Sequence, residues 1–322
     1  MASTTQGARL TEAHRQAQLR VRAGFLAEFV QLWTLLNWNR LDDTSPAWVR
    51  AVMALIRAWR QASADVALNY YREYRLVEVP SVALAKPMPI PTFVGGVVSD
   101  AERAADRAAT RELRKAITGT DHRRDDDRDR RRDRSRTVRL GEERAVRLGR
   151  DTKPRIDWGD ADRAAERSLL VTGPSELMRR AGRGETETNA SKAALVTSSG
   201  ASSRQVLGGG RQTLLTVVQA DDVALGWARV TDSDPCAFCA LLASRGPVYK
   251  SRTTAAFQPH DGCGCTPEPV FDRAAAWPGR AWEFRRLYYQ YARGHSGKAA
   301  VRAFRREWER AQRETVEQRE SA

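Results

Sequence analysis

The sequence predicts a mainly α protein, with a helical N-terminal region followed by a small α+β module in the C-terminal half. Three observations carry that prediction. Bulky apolar residues recur at helical spacing through the first third of the chain. A tract of Arg and Asp from Asp121 to Arg136 then interrupts all apolar patterning, and the four cysteines are confined to the stretch between Cys236 and Cys265. On this basis residues 1–120 form the helical region, 121–150 a charged linker or exposed helix, 151–275 the cysteine-bearing module, and 276–322 closing helices. At 322 residues the chain can bury one large or two modest cores. It contains no apolar run of about eighteen residues, so no membrane span is expected.

In order along the chain, Phe25, Phe29, Leu32 and Leu36 recur at i, i+4, i+7 and i+11, and Leu26, Val30 and Trp33 widen the same face of a buried helix. A second helix is expected to open at Ser45-Pro46, Ser as N-cap and Pro in the first turn, with Trp48, Val52, Leu55 and Trp59 as its stripe. The segment through Tyr70, Tyr71 and Tyr74 continues it, and Pro80 bounds it. Lys86 to Pro91 alternates proline with other residues and reads as an extended connector. Ser99 to Glu102 is a capping-box signature for a helix that Gly119 would stop. Asp121 to Arg136 offers i,i+4 ion pairs but no apolar face, so it reads as a solvated helix or linker.

Beyond that tract, Ala161 to Val171 and Ser175 to Ala181 are expected as short helices punctuated by Gly173-Pro174 and Gly182. Thr188 to Gln205 is rich in small residues and weakly helical. Gly208-Gly209-Gly210 lacks the spacing of a phosphate-binding loop, and marks a helix boundary or a close backbone approach. Ala224 to Val230 reads as a strand, Ala240 to Ala243 as a helical turn ended by Gly246, and Pro247 to Tyr249 as a short strand. Trp282, Leu287, Tyr288 and Tyr291, then Val301, Phe304 and Trp308, mark two amphipathic helices around Gly294 to Gly297. His295 in that loop reads as an exposed polar residue, and His14 and His122 sit in polar contexts that support no site.

The cysteines carry the chemistry. In Cys236-Ala-Phe-Cys239 the turn between the thiols brings two sulfurs to one side, the grip used on a tetrahedral zinc ion. In His260-Asp-Gly-Cys263-Gly-Cys265 the Asp-Gly pair favours a tight turn that sets His260 beside Cys263. That leaves five candidate ligands for four positions. Were Cys263 to Cys265 extended, their side chains would stand about 6.5 to 7 Å apart, too far for adjacent positions without a bend, which Gly264 could supply. The preferred set is Cys236, Cys239, His260 and Cys263, with Cys265 replacing His260 in the alternative. Spare ligands and the absence of H-E-x-x-H favour one structural zinc over a catalytic one. Four reduced thiols without metal are the rival, and disulfides would need an oxidising compartment, to which no N-terminal apolar segment points.

A formal charge of +14 suits contact with a polyanion, although arginine and alanine enrichment alone can produce it. No groove-reading element is recognisable, so non-specific attraction to phosphate is the most that charge supports.

The segment from Trp227 through Cys236, Cys239 and Tyr249, followed by His260, Cys263 and Cys265, resembles the minor head proteins related to the F protein of phage Mu, in the form carried by phages of actinobacteria. The matching module covers roughly residues 185 to 272. The resemblance implies a low-copy structural protein of the virion head interior, made in the bacterial cytoplasm. It would act in head morphogenesis near the portal, with portal, major capsid or scaffold proteins as partners, non-specific DNA contact, and no membrane. Relatives are sometimes labelled capsid maturation proteases, which is the enzyme alternative. A serine protease needs a base beside its nucleophile, and no such constellation is evident around His14, His122 or His295.

Overall fold

A computed structural model describes residues 2–94, 154–247, 257, 259–272, 274 and 277–320. The protein is mainly α. Three long helices build its body: α1 (Thr5–Trp33), α2 (Leu41–Glu78) and α6 (Glu187–Ala220). Between α2 and α6 lie α3 (Pro80–Ala85), strands β1 (Thr92–Val94) and β2 (Arg155–Asp157), paired in parallel, and the short helices α4 (Gly159–Thr172) and α5 (Pro174–Ala181). The C-terminal part carries β3 (Gly226–Val230), α7 (Ala237–Ala243), β4 (Thr266–Val270), α8 (Ala281–Tyr291) and α9 (Gly297–Glu320), with β3 and β4 antiparallel.

Local chemistry sets the helix ends. Thr4 caps α1 by accepting from the Gly7 amide at 2.9 Å, and the Glu78 carboxylate from the far end of α2 accepts from the Ser3 and Thr4 amides. A negative charge at a helix N-terminus is where the macrodipole favours it. The expected stripe continues to Leu36, but α1 stops at Trp33, and Leu36 packs against the core from the turn that follows. Helix α2 begins four residues before Ser45, so Ser45 is not its N-cap. Its hydroxyl donates instead to the Leu41 carbonyl, and Pro46 sits inside the helix.

The largest core lies between α1, α2 and α6. Phe25, Phe29, Trp33 and Trp48 meet there, with Trp33 and Trp48 edge to face at 5.6 Å, and Val206 and Leu207 of α6 join Ile56 and Val52. This core therefore draws on residues from both sides of the Asp121 to Arg136 tract. Arg57 and Arg60 of α2 tie α4 to it through Asp162. Lower down, Tyr70, Tyr71 and Tyr74 pack on Leu214, Val217 and Trp227, and Arg75 and Asp221 form a buried pair at 2.7 Å. His14, expected in polar surroundings, is buried and stacked on Tyr70 at 4.2 Å, and burial lowers its ring pKa to about 3.

Helix α6 departs most from expectation. It runs unbroken through Gly208-Gly209-Gly210, which is therefore no boundary. The glycines instead permit close approach: a Cβ on Gly209 would come within 2.2 Å of the Arg60 carbonyl oxygen, and one on Gly210 within 2.8 Å of Ser63 Oγ. The helix expected over residues 99–119, the Arg/Asp tract, His122 and Val248-Tyr249 lie outside the described residues.

Candidate metal centre

Two turns bring the five predicted donors together. Cys236 is the N-cap of α7, with extended backbone, and its Sγ accepts from the Cys239 amide at 3.5 Å. A C-x2-C pair at a helix start thus has both sulfurs on one side of the first turn. The second turn closes when the Cys263 amide bonds the His260 carbonyl at 3.1 Å, with Gly262 at φ 75° in the left-handed region that glycine tolerates. This turn is docked on the long helices. The Gly262 amide donates to the Gly200 carbonyl of α6, Arg22 of α1 donates to the Gly262 carbonyl, and Arg204 pairs with Asp261.

The donors form two overlapping triads, Cys236-Cys239-His260 and Cys239-Cys263-Cys265, each with its ligand atoms within 4.8 Å of one another. Cys239 belongs to both. His260 Nε2 lies 3.0 Å from Cys236 Sγ and 3.3 Å from Cys239 Sγ, and Cys239 Sγ lies 3.7 Å from Cys263 Sγ. All four thiols are free rather than disulfide-bonded. With metal–sulfur bonds of about 2.3 Å, the edge of a tetrahedral thiolate site is about 3.8 Å, so the Cys239 to Cys263 separation fits one ion between them. His260 Nδ1 faces the Asp261 carbonyl at 2.8 Å, the outer contact that orients a ligating imidazole through its other nitrogen. These Cys and His groups are close enough to hold a metal ion. Neither ligand set is singled out: His260 groups with Cys236 and Cys239, and Cys265 with Cys239 and Cys263.

The electrostatics divide the thiols, with Cys236 and Cys263 lowered and Cys239 and Cys265 raised. The Cys236 thiol is lowered to about 5, first by its hydrogen bond with Cys239, with the α7 amides and His260 adding to it. Cys263 is also lowered, chiefly through hydrogen bonds with Cys239 and Cys265, and with help from Arg211. Burial pulls the His260 pKa down, but its contact with Asp261 and the nearby Cys263 and Cys236 leave it raised overall.

The sequence reading missed the groups around the donors. Arg211 is buried beneath the cluster, its Nε donating to the Cys265 carbonyl at 3.0 Å and its Nη2 to the Cys263 carbonyl at 2.5 Å. Arg229 on β3 is buried 3.8 Å from the Phe257 ring centroid, on which Arg211 also lies at 5.1 Å. Asp232 accepts from the Gly264 amide, and a Cβ at Gly264 would come within 2.7 Å of that carboxylate, which explains the glycine between the two cysteines. The only sequence signal for Arg211 was its place directly after three glycines.

The fold and the site together define a mainly helical protein whose Cys/His groups, set between a helix start and a glycine turn, are close enough to hold a metal ion. The chain belongs to the VG15 protein family, whose model matches residues 4–131 and 160–294. It is also 29% identical over 144 residues to the Gene 15 protein of Mycobacterium phage D29, a match covering 34% of this chain and 52% of that relative. The chain thus spans about half the length of the curated relative it matches. No solved structure matches it. These similarities make it a bacteriophage protein. Among the described residues, no helix is long and apolar enough to cross a membrane.

Proposed function

We propose that the chain is a structural minor protein of a phage head, acting in head morphogenesis near the portal, with one zinc ion locking its C-terminal module. The observation that carries this reading is the convergence of Cys236, Cys239, His260 and Cys263 on two turns braced by the helical body. Kinship with a phage gene product, and the likeness of residues 227–265 to Mu F-type minor head proteins, supply the setting. Structural zinc sites release about 10 kcal/mol or more on binding, enough to fasten the two-stranded pair and the seven-residue helix α7 to each other. Cys265 is the spare donor in the preferred set. Exposed apolar side chains such as Leu84, Val196 and Trp282 would meet portal, major capsid or scaffold proteins inside the head, and the basic surface would meet packaged DNA without reading its sequence.

The Cys236 to His260 contact at 3.0 Å favours a second reading, a thiolate nucleophile with an adjacent base in a capsid maturation protease. Zinc-edge X-ray absorption on chelator-free protein separates the two. The structural reading requires one zinc with three or four sulfur neighbours and no bound water. It also requires that Cys239→Ser lose the metal, melt the C-terminal module and block head assembly together. A Cys236→Ser chain that stays folded and fully metallated but no longer cleaves a head protein would establish the protease instead.

A further inference from the structure

We propose that the groove between the turn after α7 and the N-terminal half of α9 is where this chain holds double-stranded DNA, by its phosphate backbone. The inference deepens the DNA contact in the proposed function by giving it an address. A cavity of about 530 Å³ is lined there by Arg245, Lys298, Arg302 and Arg305, with Gly297 and Val301 between them. All four cations are exposed, and among the described residues none is ion-paired, whereas Arg280 and Arg310 on the same helical hairpin each face a glutamate. The groove therefore concentrates uncompensated positive charge.

The sequence of α9 sharpens this. From Gly297 to Arg306 it carries Lys298, Arg302, Arg305 and Arg306 and no carboxylate, and its acidic residues begin at Glu307. Cations in the first turns oppose the helix macrodipole, so helix stability alone would favour the reverse order. The placement suits an anion held from outside. Lys298, Arg302 and Arg305, at i, i+4 and i+7, share one side of the helix over about 10 Å, and the backbone of one DNA strand advances about 3.4 Å per phosphate. The row thus spans about three phosphates, with Arg245 reaching in from the opposite wall. The lining offers four cations with one glycine and one valine, and a row of cations at phosphate spacing positions a duplex by its backbone, a contact that carries no sequence information of its own.

The test is fluorescence anisotropy of the full, metal-loaded chain on a mixed-sequence duplex of about 30 base pairs, over about 50–200 mM NaCl. Replacing Arg245, Lys298, Arg302 and Arg305 by Gln should weaken binding at least about tenfold and shrink the log–log salt slope by about three to four. A charge-matched control, with the exposed Arg9, Arg20, Arg72 and Arg183 replaced by Gln, should change affinity less than about threefold. Circular dichroism and metal content confirm that both variants are folded. If the fourfold variant fails that check, Arg302→Gln alone should lower the slope by about one. Equal losses in the two variants would assign binding to overall charge and overturn the proposal. So would an unchanged groove variant, including the case where deleting residues 121–136 abolishes binding, or a wild-type chain that does not bind. Zinc content and head assembly are read separately, so failure of the structural-zinc reading leaves a distinct signature.

Discussion

Three consecutive glycines in the middle of a 34-residue helix invite alanine substitution one at a time. By helix propensity alone each replacement should stabilise α6 by up to about 1 kcal/mol. The surroundings differ position by position. A Cβ on Gly208 meets nothing within 4 Å, so Gly208→Ala should keep that full gain. At Gly209 the Cβ would sit 2.2 Å from the Arg60 carbonyl oxygen and 3.0 Å from its carbonyl carbon, both backbone atoms of α2 that cannot swing aside. Helix α2 must then back away from α6 along their contact, and overpacking of this kind costs about 1–3 kcal/mol beyond the propensity gain. Gly210→Ala should be intermediate to severe, because the Gln18 amide at 2.6 Å can rotate but the Ser63 carbonyl at 2.9 Å cannot. Urea unfolding of the three variants and the parent, followed by far-ultraviolet circular dichroism, gives the order directly. The expected ranking is Gly208→Ala above the parent, with Gly209→Ala lowest or level with Gly210→Ala. A stabilised Gly209→Ala would refute the α2–α6 crossing described above.

Two further expectations concern buried charge. Burial lowers the His14 pKa from 6.5 to about 3, so the unfolded chain binds a proton that the folded chain refuses between those values, and the stability from this group is complete above pH 6.5 and lost progressively towards pH 3. Between pH 6.5 and 5 that is about 2 kcal/mol, and His14→Leu should lose this component of the pH dependence; parallel wild-type and variant urea curves across that range would contradict it. Asp221 accepts from Arg75 and from the Tyr71 hydroxyl, so Asp221→Asn strands a buried guanidinium and should cost about 3–5 kcal/mol in the same assay, with a loss under about 1 kcal/mol as the contrary result.

Much of this architecture was legible because single-period signals survive in isolation. Phe25, Phe29 and Leu32 repeat every three to four residues, and the tyrosines at 70, 71 and 74 continue α2, so both helices follow from spacing. The two turns that bring the Cys and His groups together were readable because C-x2-C and His-Asp-Gly-Cys are set by local geometry. What was hidden depended on partners distant in sequence. Residues 188–205 look weakly helical because serines and threonines have poor propensity, and the three glycines that follow look like a boundary, yet small side chains let α6 lie close to α2 and α1. Strand β4 escaped because Thr266-Pro-Glu-Pro-Val270 contains two prolines. At alternate positions, their missing amides fall on one edge, and the other edge still pairs with β3. Arg211 and Arg229 had no periodic signal, since their roles arise only when α6 and β3 flank the cysteine turn.

The position of α7 has a wider consequence. Its first turn carries Cys236 and Cys239, while Ala240, Leu241 and Ala243 pack against Phe284 of α8 and Phe304 of α9. The other ligand turn is fastened to α1 and α6. With a metal bound, the Cys/His cluster would act as a rivet between the three-helix body and the closing hairpin, one plate on each side. Drawing the rivet would melt the strand pair and short helix held between the plates and free the plates' mutual angle, so in the zinc-locked reading metal supply would govern how this molecule presents its two ends as well as whether that module is folded.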